Sequence, residues 1–440
     1  MQSSEIVLYN LSKQAMKDDF QFNRLYRHLY NEDFYITAYN NLNKNTGSAI
    51  KNSDVTIQAI IASLQDESYQ PNPIRHTSIP TITDRLVQEV CRMVLVAIYE
   101  PKLSQHTHSF RPKRSCHTAL AEIQQTFTAV NWLIEGNIHE FFTTMNHHLF
   151  IKLLRKHIKD EKWIRLMWKF LKAGYMDNWQ FQQTYSGTPQ GKYLSPVMAM
   201  IYLNELDAYI KNDLQPSFKA IKYVRYANAF IIGINGSKAD CKKVQQAIAN
   251  FLNDQLQLTL SAAQTSITHR TKNARFLNYD ISIRDDGRVP QSNRGRVHLR
   301  MPNGTIENVI VKNKMVKNID AKQWDMLHRP KLVGLPDLAI VERYNRELLG
   351  LYHYYALAEN VSQKMGQLHH VMSYSCLKTL ANKYKSTVPK MKKALQQGKY
   401  WGVTYQTTQG EKIAYFYHDG FKKGTAALQP EVDQLPNLYV

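Results

Sequence analysis

The run Ile221-Lys222-Tyr223-Val224-Arg225-Tyr226-Ala227-Asn228-Ala229-Phe230-Ile231-Ile232-Gly233-Ile234 limits the fold more than any other stretch of this chain. Two β-prone segments are separated only by Ala227 and Asn228, a spacing that predicts two antiparallel strands joined by a tight turn. A third short strand is expected from Trp132 to Ile138. Helices are expected around these strands, so the chain reads as α+β.

Helical spacing of apolar residues predicts a helix from Asp84 to Tyr99, with Asp84 as its cap, and another from His148 to Ile158. Ser195-Pro196 predicts a sharp helix start, with a capping hydroxyl followed by proline in the first turn. Lys238 to Leu252 reads as a helix, followed by short strands to Ile283. Residues 5–40 read as mostly helical, 41–55 as a polar loop and 106–116 as a basic loop. Beyond Arg284-Asp285-Asp286-Gly287 the composition shifts. Residues 307–360 and 361–395 then read as helical, and the remainder as a tyrosine-rich hairpin region.

The chain has 440 residues, 56 Lys and Arg against 36 Asp and Glu, and a formal net charge of +20. Such an excess favours a polyanionic partner, and the 26 Tyr and 16 Phe beside it suit base stacking. No apolar run reaches the roughly 18 residues of a membrane helix, so no membrane association is expected. Cys91, Cys116, Cys241 and Cys376 are too scattered for a zinc site and read as reduced, partly buried thiols.

Six blocks in order resemble the proteins encoded by group II introns. They are Ser109-Phe110-Arg111-Pro112-Lys113-Arg114-Ser115-Cys116-His117, Gly187-Thr188-Pro189-Gln190-Gly191, Leu194-Ser195-Pro196, Tyr223 to Phe230, Phe276-Leu277-Asn278-Tyr279, and Ser375 to Lys385. The resemblance implies a right-hand polymerase-like fingers and palm over residues 1–285, with an antiparallel palm sheet and helices. It further implies a helical thumb over 286–360 and a mostly helical maturase domain X over 361–440, ending in a remnant hairpin.

The resemblance also implies aspartates where Asn137, Asn228 and Ala229 stand. Two-metal nucleotidyl transfer needs carboxylate oxygens, which two amides and a methyl group do not supply. Thr143 and Asn146 replace acidic residues, Lys192 replaces a glycine near the nucleotide site, and Gln264 replaces a lysine. The fingers segment is shortened where Ser78-Ile79-Pro80 runs into Thr83-Asp84-Arg85. Glu135, Glu140 and Asp280 are the remaining nearby carboxylates, and none takes the place of the pair at the turn. Phe141 and Phe142, at the family's sugar-discriminating position, are expected in the core. With its end at Val440, the chain is expected to lack the Cys- and His-bearing nuclease domain that many such relatives append.

These departures lead to an expected splicing-only maturase. It would bind group II intron RNA and stabilise its active fold, with no catalytic residue and no metal or cofactor of its own. Mg2+ would belong to the partner ribozyme. The N-terminal residues Lys13, Lys17, Arg24 and Arg27 are expected to grip a high-affinity RNA stem-loop. Arg111, Lys113 and Arg114 are expected at phosphates. Arg288, Arg294, Arg296, Arg300, Lys378, Lys383, Lys385, Lys390, Lys392 and Lys393 are expected against the catalytic core of the RNA. Lys378, Lys383 and Lys385 do not share one stripe of a straight helix, which predicts that they straddle a helix end. No acid interrupts residues 361–400, where a purely solvated lysine face would interleave acids. The resemblance admits a homodimer. It places the protein in a bacterial cytoplasm or, if organelle-encoded, in a plastid or mitochondrial matrix. The alternatives are an active RNA-directed DNA polymerase, its engineered inactive form, a decayed gene product, or a scaffold co-opted for another nucleic acid.

Overall fold

The strands Ile221–Tyr226 and Ala229–Ile234 form the expected hairpin, with Tyr226 opposite Ala229 across the two-residue turn. Ala227 takes a left-handed backbone, φ 52°, which closes the turn. The strand Trp132–Asn137 pairs antiparallel on the other side of Ala229–Ile234, placing Asn137 opposite Ala229 and Gly136 opposite Phe230. Gly136 is required there: a Cβ at this position would sit 2.1 Å from the Phe230 ring. The computed structural model describes residues 2–17, 19–46, 57–75, 81–173, 175–177, 180–182, 193–218, 221–284, 295–321, 323–408 and 410–424.

The chain forms two compact units, and its architecture is α+β. The first unit comprises Met1–Pro112 and Trp132–Ile267. Its sheet lies against long apolar helices. The helix Ser195–Tyr209 is buried almost all round, including Met198, Met200, Ile201, Tyr202 and Leu203, as expected of a helix enclosed in a core. Pro196 lies in its first turn as predicted, but Leu194 holds the cap position and Ser195 is inside the helix without capping it. The helix Ile82–Tyr99 likewise starts earlier than expected. Thr81 is its cap, accepting from the Asp84 amide, while the buried Asp84 carboxylate accepts from the Tyr69 hydroxyl and the Thr81 hydroxyl. The helix expected from His148 to Ile158 spans His147–Leu154, with Asn146 as its cap.

One buried ion pair joins these layers. Arg225, in the hairpin, donates through Nε and Nη2 to both carboxylate oxygens of Asp207, at 2.7 and 2.6 Å, and each side chain is 1% exposed. Thr107 and Tyr223 donate to the same carboxylate, each at 2.8 Å. The third guanidinium nitrogen, Nη1, donates to the Ala227 carbonyl in the turn. Burial alone would depress the Arg225 pKa, but the Asp207 charge overrides it and raises the value above that of a free guanidinium.

The second unit comprises Lys113–Asn131 and Thr268–Val440. Here the strands Arg296–Arg300, Tyr279–Arg284 and Ala274–Phe276 form an antiparallel sheet in that order. Four helices follow: Thr305–Lys312, Asp337–Tyr354, Val361–Lys383 and Val388–Ala394. The stretch between the first two carries only a short 3-10 helix, Pro330–Leu332, among its described residues, rather than the long helix expected. It is tied down where buried Arg329 pairs with buried Glu347 and the Arg329 amide donates to Thr379. A hairpin of Tyr400–Thr407 and Gly410–Tyr415 lies beyond, as predicted. All four cysteines are free and buried.

Replacing Asp207 with Ala leaves a guanidinium buried without its counter-charge. Urea unfolding of the full chain is expected to show a loss of about 3–5 kcal/mol. Arg225→Met/Asp207→Leu, which removes both charges, should recover most of it, and an equal or larger loss in the double variant would contradict this role for the pair.

Candidate nucleic-acid interface and the palm site

The hairpin turn brings two of the sequence-selected positions together. Asn228 donates from Nδ2 to the Asn137 side-chain oxygen at 2.8 Å and to the Ile138 carbonyl at 3.0 Å. The Ile138 amide donates back to the Asn228 carbonyl at 2.9 Å. Ala229 lies directly opposite Asn137 in the strand register and presents only a methyl group. Two facing amides can satisfy each other in this way, one donating and one accepting. Two carboxylates at the same positions would have nothing to donate and would repel.

The surrounding substitutions have local structural roles. Asn146 caps its helix by accepting from the Leu149 amide and donates to Gln257. The Thr143 hydroxyl donates to the Glu140 carbonyl. Phe141 is buried with its ring 5.7 Å from that of Tyr202, as expected of core, whereas Phe142 lies at the surface, 36% exposed. Glu140 is exposed beside His139. Asp280, in the second unit, is taken up by Arg275 at 2.7 Å. Among the described residues no group of three His, Cys, Asp or Glu side chains could hold a metal ion. Gln190, Gly191 and Lys192 lie outside the described residues.

Arg111 does not lie free for a phosphate. It is 9% exposed, and its guanidinium is committed to Glu100 and to the Ser104 and Thr107 carbonyls. Within the first unit, Lys13, Lys17 and Arg27 do converge. Together with His28, Gln2, Asn10 and Gln14 they line a surface hollow of about 340 Å³. Arg24 is exposed but is not in its lining. Burial, and then the Arg27 charge, push the His28 pKa down to about 4, so the hollow's positive charge at neutral pH comes from the two lysines and Arg27.

In the second unit Lys113, Arg296 and Arg300 are exposed and Arg114 is half-buried; Arg288 and Arg294 lie outside the described residues. The helix Val361–Lys383 ends at Lys383, with Tyr384 as its C-cap and Lys385 beyond it in a left-handed conformation, so the three lysines straddle a helix end as the spacing predicted. Two of them carry intramolecular bonds. Lys378 donates to the Met326 carbonyl at 2.7 Å, and Lys383 reaches Asp337 and the Leu335 carbonyl. Lys385, Lys390, Lys392 and Lys393 are exposed.

The strand-and-hairpin geometry is that of a reverse transcriptase palm, and residues 64–281 match the reverse transcriptase (RNA-dependent DNA polymerase) family. Residues 294–424 match the type II intron maturase family. The chain is 36% identical to the group II intron-encoded protein LtrA of Lactococcus lactis subsp. cremoris, over all of this chain and 88% of that one. It is 29% identical to the putative COX1/OXI3 intron 1 protein of Saccharomyces cerevisiae, over 88% of this chain and 55% of the relative. It is 24% identical to nuclear intron maturase 2, mitochondrial, of Arabidopsis thaliana, over 57% and 42%. The chain belongs to the group II intron-encoded proteins. No helix among the described residues is long and apolar enough to cross a membrane.

Two outcomes are expected from this geometry. Asn137→Asp/Asn228→Asp replaces a hydrogen bond with facing charges. It should lower stability by about 1–3 kcal/mol without divalent ions and regain part of that with Mg2+. Thermal melts with and without Mg2+ test this, and a double variant as stable as the parent would contradict the amide-pair reading. Separately, His28 is neutral in the fold, while the unfolded chain binds its proton near pH 6.5. Stability should therefore fall as pH drops from about 6.5 towards 4, and His28→Asn should flatten that part of the pH profile.

Proposed function

We propose that this protein is a maturase that binds group II intron RNA and stabilises its splicing-competent fold, without polymerising nucleotides itself. The observation that carries this reading is the Asn228–Asn137 hydrogen bond at the turn. Reverse transcriptases hold two divalent ions with carboxylates in such a palm. Here one hydrogen bond joins the two amides and Ala229 offers no side-chain oxygen, so these residues do not fit that pair of ions. The maturase family match over 294–424 supports retention of the other activity.

In this reading the chemistry belongs to the RNA and to the RNA's own Mg2+. Folded RNA repels itself through its phosphates, and a cationic protein that matches its shape lowers that cost. The Lys13–Lys17–Arg27 hollow is one footprint. Arg296, Arg300, Lys385, Lys390, Lys392 and Lys393 form the second, on thumb and domain X. A second copy of the chain is compatible with this role, and the compartment is that of the host intron.

Splicing of candidate group II intron transcripts at low Mg2+, with and without the purified chain, tests the proposal alongside primer extension on the same RNA. Protein-dependent splicing with no extension is expected. Extension above a heat-killed control, or splicing indifferent to the protein, would overturn it. Lys13→Gln/Lys17→Gln/Arg27→Gln should lower the salt slope of intron binding by about 2, at roughly 0.7–0.9 per phosphate contact.

A further inference from the structure

The hairpin at the end of the described chain has an unusual outer face. In its register Trp401 and Val403 alternate with Tyr400, Gly402 and Thr404, and Gly402 lies opposite Tyr415 and Thr404 opposite Ile413. The inner face is core: Val403 and Phe416 are each 2% exposed, and the Trp401 ring stacks on that of Phe416 at 4.9 Å. Antiparallel sheets of this kind usually turn polar residues to water on the other side. Here that side carries Tyr400, Ile413 and Tyr415, exposed by 40%, 36% and 36%.

These rings are organised. Tyr400 stacks on His418 with centroids 3.8 Å apart and planes 13° apart, and Tyr415 meets the same imidazole edge-on at 5.6 Å. Gly402 leaves the strip between Tyr400 and Thr404 without a side chain. Lys399 Nζ is 6.0 Å from the Tyr400 ring centre. The helix Val388–Ala394 runs straight into this sheet, where the Gly402 amide donates to the Leu395 carbonyl at 3.0 Å. Its Lys390, Lys392 and Lys393 are exposed and make no ion pair among the described residues.

We propose that the outer face of the hairpin, with Tyr400 and Tyr415 at its centre, is a stacking platform for unpaired RNA bases, whose phosphates lie on the Lys390–Lys399 strip. This rests on the maturase reading and specifies one of its contacts. Aromatic side chains exposed beside cations bind unpaired strands through base stacking and phosphate attraction, whereas paired bases are already stacked on each other. Charge argues against a second copy as the occupant. Lys390, Lys392, Lys393 and Lys399 outnumber Glu411 and Asp419, and Asp419 lies 3.1 Å from the His418 ring. Two such faces would bring like charges together.

The test measures binding of the full chain to a single-stranded 12-nucleotide oligoadenylate and to a 12-base-pair RNA duplex. Tyr400→Leu/Tyr415→Leu keeps apolar area and removes the aromatic faces. It should weaken single-strand binding about tenfold or more, leave duplex binding unchanged, and leave the salt slope unchanged. Tyr400→Phe/Tyr415→Phe should bind like the parent. Lys390→Gln/Lys392→Gln/Lys393→Gln should lower the single-strand salt slope by about 2. If the leucine variant binds oligoadenylate normally while the glutamine variant loses affinity, the platform is wrong and the maturase reading stands. Equal losses on both RNAs with an altered melting temperature would also overturn the platform. A parent chain that binds neither these RNAs nor an intron transcript would remove the reading beneath it. A dimer in sedimentation that Tyr400→Lys disperses would assign the face to a second copy and overturn the proposal.

Discussion

The palm of this protein depends on a guanidinium and a carboxylate that see almost no water. The side chains of Arg225 and Asp207 are each 1% exposed, and further hydrogen bonds hold both: Thr107 and Tyr223 donate to the acid, and the base donates to the Ala227 carbonyl. Desolvating two charges costs several kcal/mol each, so such a pair adds little net stability over well-packed apolar residues. What it supplies is position. Through the same residue the backbone of the 106–109 loop is docked, since the Arg225 amide donates to His106 and its carbonyl accepts from His108, and the Ser109 hydroxyl accepts from the Ala227 amide. The turn is thereby held against a helix and a loop, and Asn228 meets Asn137.

That frame positions a cluster of locally bonded side chains at the turn. Gly136 still makes room for the Phe230 ring, and Phe141 still packs on Tyr202. The positions at which the family resemblance implies acids hold residues bonded locally: an amide pair at 137 and 228, a helix cap at 146, a hydroxyl bonded to a carbonyl at 143. A scaffold whose local choices agree with one another is foldable whatever chemistry it carries. Exposed cations cluster in the N-terminal hollow and along the final helices.

Much of this was legible in the sequence because it is periodic or punctuated. The Ala227-Asn228 turn, the strand before it, the helix Lys238–Leu256 and the helix end beneath Lys378, Lys383 and Lys385 all announce themselves by spacing. The ion pair does not, because it joins residues 18 apart in sequence across two elements. Its faint trace is a buried acid, one of two on the apolar helix Ser195–Tyr209, and an arginine inside a largely apolar strand. Arg111 was misleading for a related reason. A basic loop looks solvated until Glu100 and two carbonyls are found around its guanidinium. The cap at Thr81 rather than Asp84 is a smaller case of the same limit: both residues can cap, and the buried Tyr69 hydroxyl claims the aspartate.

The proposed function has the palm keep its shape without a divalent-ion site, and Mn2+ titration followed by electron paramagnetic resonance tests this directly. The purified chain, with a template–primer duplex present, is expected to leave the signal of free Mn2+ unchanged apart from what the nucleic acid alone takes up. Stoichiometric binding to the protein that disappears on changing Glu135 to Gln would place an ion at the hairpin and contradict the account.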